Sequence, residues 1–135
     1  MRKSLTVSIS AEGRDKGKAF QLTEMPASKA EKWAIRTVLA LGKAGIDIPE
    51  DMASQGMSAI AALGIRALTN LKFEDAEPLL AEMFECVQCI PDASRPDVRR
   101  ALIEDDIEEV ATRLSLRKDI LSLHIDFFTA VAPSN

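Results

Sequence analysis

Tyrosine is absent from this sequence, and aromatics make up only 4% of it, as five Phe and one Trp. A β-sandwich core usually recruits aromatic side chains, so their shortage favours packed helices. There is one His, and there are two Cys. A zinc site would need two more ligands than the cysteine pair supplies, and an enzyme would be left with carboxylates such as Asp105, Asp106, Glu108 and Glu109, which capping at a helix start explains. No apolar run approaches the roughly 20 residues that span a bilayer, and no signal peptide precedes the first strand. A soluble, cytoplasmic protein without a membrane partner is expected.

What remains is aliphatic. Of the 135 residues, 47% are hydrophobic, chiefly Ala, Leu, Ile and Val with five Met. That length predicts a single domain over 1–135, able to bury about two thirds of its extended surface. The net charge of −4 is uneven. Residues 1–36 carry eight basic and four acidic side chains, whereas 37–90 carry three and eight and 91–135 carry six and nine. A basic front and an acidic rear suit head-to-tail self-association or a partner with patches of both signs. A mixed solvated surface is the simpler reading.

Leu5, Val7 and Ile9 alternate with Thr6, Ser8 and Ser10, and Phe20 and Leu22 alternate with Gln21 and Thr23. Both runs have the period-2 pattern of a half-buried strand. With Gly13 and Gly17 between them they predict a β-hairpin over 1–25, which must pack on helices or pair with another chain to be stable. Gly13 to Lys18 (GRDKGK) superficially resembles a phosphate loop. A Walker loop needs four residues between its glycines, then Lys-Ser/Thr, opening a helix. Three residues separate these glycines, and Ala and then a strand follow Lys18. A turn is the better reading.

Ser28 and Glu31 form the spacing of a capping box, opening a helix from about Lys29 to Lys43. Ala30, Trp33, Ala34, Val38 and Leu41 share its apolar face, widened by Ile35 and Leu39, and Lys29, Lys32, Arg36 and Lys43 form a basic stripe opposite. Without interleaved aromatics and in an acidic chain, that stripe suits an acidic protein better than nucleic acid. A second, central helix is predicted from Met52 or Ala53 to Asn70. A third follows, capped by Asp75 and carrying Leu79, Leu80, Met83, Phe84 and Val87 inward. Cys86 and Cys89 (CVQC) would end it. A redox CxxC belongs at a helix N-terminus, so two reduced structural cysteines are expected.

Val98 to Ile103 reads equally as extended chain or as a lead-in. From Glu104 or Asp105 a helix is predicted with Ile107, Val110, Ala111 and Leu114 buried, then a break near Ser115 and a last helix. A helix-turn-helix there is disfavoured by Glu104, Asp105, Asp106, Glu108 and Glu109, which would repel phosphate. The last helix carries one stripe through Ile120, Leu123 and Phe127 and another through Leu121, Ile125 and Phe128, with His124 between them. Together they cover roughly 220° of the wheel, about twice what docking on a core requires. Either the helix is buried on most sides, with His124 a hydrogen-bonded core residue, or one stripe faces another chain. The candidate partner-binding residues are therefore Leu121, Ile125 and Phe128, as one wall of an apolar groove, with Lys29, Lys32 and Arg36 as a basic face. The predicted fold is α+β and mainly α-helical, an N-terminal hairpin on a bundle of about five helices over 28–131 with a short tail at 132–135. No catalytic, cofactor or metal-binding residues are predicted.

The runs GRDKGKAFQLTEMPASKAEKWAIR, KFEDAEPLLAEM and ALIEDDIEEVATRLSLRKDILSLHIDFF, from about Gly13 to Phe128, resemble the phage tail assembly chaperones of long-tailed bacteriophages and prophages. The resemblance implies a non-enzymatic cytoplasmic protein that binds the tape-measure protein, keeps that long helix soluble and helps deliver tail-tube subunits. It also implies absence from the mature virion and a longer form made by frameshifting. The alternatives are a small structural tail component and a generic protein-interaction domain.

Overall fold

The computed structural model describes residues 1–43, 45 and 71–131, with the side chains of all of these except 38 and 125–131. The predicted hairpin forms. Strand β1 (Ser4–Ser8) pairs antiparallel with β2 (Ala19–Thr23), with Leu5 opposite Leu22 and Val7 opposite Phe20. Gly13 and Gly17 take φ of 144° and 88° in the connecting turn, a region that side chains with a Cβ rarely adopt.

The sheet is larger than this hairpin. β3 (Val87–Ile90) pairs antiparallel with β2, and β4 (Arg100–Ala101) with β3, giving a four-stranded sheet in the order β1-β2-β3-β4. The Val-Gln-Cys-Ile run therefore does not end a helix. One turn of 3-10 helix at Phe84–Cys86 closes the preceding helix, and the chain then extends along β2. Of the two readings of Val98–Ile103, the extended one is realised at Arg100–Ala101.

Three α-helices are present among the described residues: α1 (Ala27–Lys43), α2 (Phe73–Met83) and α3 (Val110–Val131). A hairpin on a bundle of about five helices is thus replaced by a four-stranded antiparallel sheet with helices packed on it. The predicted helix over 52–70 lies outside the described residues. α1 begins two residues before the predicted start. The Pro26 carbonyl accepts from Ala30 N, so Ser28 sits within the first turn and does not cap it. α2 begins before Asp75, whose amide donates back to Lys72 O.

The last part of the chain departs furthest from expectation. Glu104–Asp106 is an isolated 3-10 turn, residues 107–109 are irregular with Ile107 extended, and α3 then runs unbroken through Ser115 for 22 residues. Starting the helix at Val110 sets its phase. Thr112, Leu116, Ile120, Leu121, Leu123 and His124 face inward, while Val110 and Leu114 are 72% and 53% exposed. Of the predicted stripe Ile107, Val110, Ala111 and Leu114, only Ile107 is buried, and it precedes the helix.

Phe20, Leu22 and Val87 share one face of the sheet by register. They join Trp33 and Leu41 of α1, Leu79 and Met83 of α2, and Leu116, Ile120 and Leu123 of α3 in one core cluster. Removing such side chains from water is the main favourable contribution to folding, about 25 cal/mol per Å². Trp33, fully buried, donates its Nε1–H to Leu79 O at 2.9 Å, so the largest side chain in the core is also polar-satisfied.

Candidate functional site

The densest polar network joins the hairpin turn to the start of α3. Asp15, 1% exposed, accepts hydrogen bonds from the Glu108 amide at 3.0 Å, the Glu109 amide at 2.9 Å and Lys18 Nζ at 2.9 Å. Thr112, buried on α3, lies beside the same carboxylate and favours its charged form. Glu109 O accepts from Arg113 N, so the amides that Asp15 holds are those left unpaired at the helix start. A carboxylate there also opposes the positive end of the helix dipole. Burial alone would raise the Asp15 carboxyl. Thr112 beside it and the bonds from Glu108, Lys18 and Glu109 outweigh that and hold it well below the usual carboxylate range.

Arg14 completes the clasp, donating from Nε to Glu109 Oε1 and from Nη2 to Glu108 O, each at 2.9 Å. The GRDKGK turn is therefore neither a phosphate loop nor a passive loop. It caps a helix that begins more than ninety residues later. Three carboxylates that precede α3 are likewise paired within the chain. Glu109 pairs with Arg14, Glu108 with Lys18, and Asp106 takes both guanidinium nitrogens of Arg100 at 2.7 and 2.8 Å.

His124 is buried and doubly bonded. Its Nε2 accepts from Met25 N at 3.1 Å and its Nδ1–H donates to Ile120 O at 2.8 Å. This is the core-residue reading, in the neutral tautomer with the proton on Nδ1. Leu121, 5% exposed, belongs to the core with Ile120 and Leu123 rather than to an exposed wall. The side chains of Ile125 and Phe128 lie outside the described residues.

The basic face of α1 is partly answered within the chain. Lys29 pairs with Glu85, and Arg36 with Glu82 at 2.6 Å, while Lys32 is exposed. With Arg14–Glu109 and Lys18–Glu108, these pairs show that the basic front and acidic rear of the chain meet in one molecule. The sequence pattern missed a neighbouring feature. Ile35 and Leu39, placed on the core side of α1 by the wheel, are 53% and 66% exposed. The buried face is narrower, formed by Trp33, Ala34, Thr37 and Leu41, with the Thr37 hydroxyl bonded to Trp33 O at 2.8 Å. At 100° per residue Lys32, Ile35, Arg36, Leu39 and Lys43 occupy an arc of about 100°.

A second basic cluster lies where α2 meets α3. Arg113 and Arg117 sit 4.1 and 4.4 Å from the centroid of the Phe84 ring, and Arg117 also donates to Leu80 O. Burial and the nearby Arg113 charge lower the Arg117 pKa to about 10. The cysteines are buried and free. Burial pushes the Cys86 thiol up to about 11 and raises Cys89 as well, with Asp106 contributing. Neither is a thiolate near neutrality. No group of three or more His, Cys, Asp or Glu is arranged to hold a metal among the described residues. No helix among them is long and apolar enough to cross a membrane.

No family model, curated protein or solved structure matches the chain.

Proposed function

We propose that this protein is a non-enzymatic assembly chaperone of the phage tail type, acting in the cytoplasm on the amphipathic helices of a tape-measure protein. The observation that carries the reading is the exposed pair Ile35 and Leu39, one turn apart on α1 and flanked by Lys32 and Lys43. Two apolar anchors one helical turn apart, set among cations, suit an amphipathic helix with an acidic border. The sequence resemblance from Gly13 to Phe128 supplies the partner's identity. The expected contact thus moves from Leu121 on the last helix to α1, keeping Lys32 and Arg36 of the original basic face.

Co-purification with the long coiled-coil product of the adjacent gene tests this. Leu39→Asp should lose the partner while keeping the wild-type unfolding midpoint. Retained binding, or an unfolded variant, would move the contact elsewhere and make this face part of the fold. A small structural tail component is the second reading, favoured by a sheet with twice the strands of the predicted hairpin. Its persistence in mature particles would decide for it, since a chaperone leaves before maturation.

A further inference from the structure

β1 lies at one end of the strand order, and its backbone shows which groups that edge presents. Glu24 N donates to Lys3 O and Ile9 N to Lys18 O, in register with Leu5 opposite Leu22 and Val7 opposite Phe20. Inward-bonded residues alternate with outward-facing ones in an antiparallel ladder. The odd-numbered residues therefore bond to β2, and the N–H and C=O of Ser4, Thr6 and Ser8 point away from it. Proteins usually blunt such an edge with Lys, Pro, a bulge or a cover. The strand SLTVS has no charge and no Pro, pairs without a bulge, and leaves Ser4, Leu5, Thr6 and Ser8 exposed.

We infer that β1 pairs antiparallel with β1 of a second copy about a two-fold axis at Thr6, joining two sheets into one of eight strands. In that register Thr6 faces Thr6 of the partner subunit, and Ser4 faces Ser8 of the partner subunit. Every outward backbone group of Ser4, Thr6 and Ser8 then has a partner. Leu5, 43% exposed on the face it shares with Leu22, lies against Val7 of the partner subunit. Apolar cross-strand pairs of this kind stabilise a sheet.

Charge favours the same register. Extending it places Arg2 opposite Ser10 of the partner subunit, where a groove of about 330 Å³ runs between the hairpin and α3. Asp119 lines that groove with no salt-bridge partner among the described residues, while Glu12 and Glu109 beside it are paired with Lys16 and Arg14. The basic Arg2–Lys3 start of each strand thus lies at the groove that holds Asp119 of the partner subunit. The small side chains of Ala111 and Ser115 on the groove wall leave room for it. This inference is independent of the chaperone reading.

Sedimentation equilibrium should find a dimer that Thr6→Pro converts to monomer, with helical circular dichroism retained, because the Thr6 amide makes no bond to β2. Thr6 also donates to Gln21 Oε1 at 2.8 Å, so a second variant guards against simple misfolding. In a Cys86→Ser, Cys89→Ser background, Thr6→Cys should oxidise to a disulfide-linked dimer. Directly opposed hydrogen-bonded residues have Cα atoms about 5.5 Å apart, within disulfide reach. Leu5→Cys, which faces Val7 of the partner subunit, should not cross-link. A wild type that stays monomeric with no Thr6→Cys cross-link, a dimer that survives Thr6→Pro, or cross-linking through Leu5→Cys in place of Thr6→Cys would each overturn the inference.

Discussion

The carboxylate of Asp15 holds the backbone amide of Glu109 at 2.9 Å across 94 residues of chain, so the turn of the first hairpin caps the last helix. Two sequence-distant parts of the fold depend on one side chain that solvent barely touches.

Asp15→Ala should therefore destabilise strongly, by roughly 3 kcal/mol, because it leaves the partly buried amides of Glu108 and Glu109 without their acceptor and takes from Lys18 one of its three. The pH dependence follows from the depressed carboxylate. Its contribution is complete above the unfolded-state value of about 4 and is lost as pH falls below it toward the folded-state value. Chemical denaturation between pH 2 and pH 7 should show wild-type stability falling below about pH 4. Asp15→Asn should start lower and fall less. Equal slopes would mean that other carboxylates dominate acid unfolding.

His124→Leu keeps most of the apolar volume but leaves the Met25 amide unpaired inside the protein. The expected cost is about 1–3 kcal/mol, read as a lower urea midpoint with an unchanged m-value. No loss would show that the amide finds another acceptor.

Both thiols should resist alkylation in the native state at pH 8 and react fully in denaturant. For Cys86 this follows from burial and a pKa raised to about 11. Rapid stoichiometric labelling of the folded protein at that pH would contradict its placement.

Ser28→Ala should change stability by less than about 0.5 kcal/mol, because Ser28 is exposed inside the first turn, where Ala is the better helix former. An N-cap at this residue would instead cost about 1 kcal/mol. The unfolding midpoint distinguishes the two placements.

What could be read from the sequence was what local pattern encodes. The alternation of Leu5, Val7 and Ile9 against Phe20 and Leu22 marked the hairpin, and Trp33, Ala34 and Leu41 marked the buried face of α1, though not its width. β3 was hidden because Val87 continues the helical spacing of Leu79, Met83 and Phe84. Only pairing with β2 pulls that segment into extended form, and such pairing leaves no local trace. The two-residue β4 is too short for any periodicity. α3 was misphased because Ile107 precedes the helix, yet its spacing to Val110 and Leu114 imitates one. The clasp had a faint signal: a turn dense in Arg14, Asp15 and Lys18, and a helix start dense in Glu108 and Glu109. Those charges complement one another, but nothing in spacing alone says that they meet.

The neighbour that β2 needs on its far side is β3, whose first paired residue, Val87, comes 65 positions after its partner Leu22. Synthesis proceeds from the N-terminus, so the hairpin emerges long before the strand that completes its sheet or the helix start that Asp15 caps. Two strands alone are marginal in water, and pairings this distant close slowly. The nascent chain must therefore carry an uncovered Phe20 and Leu22 until more than half of it has been made. Folding should finish in one late step, when β3 and the amides of Glu108 and Glu109 arrive together.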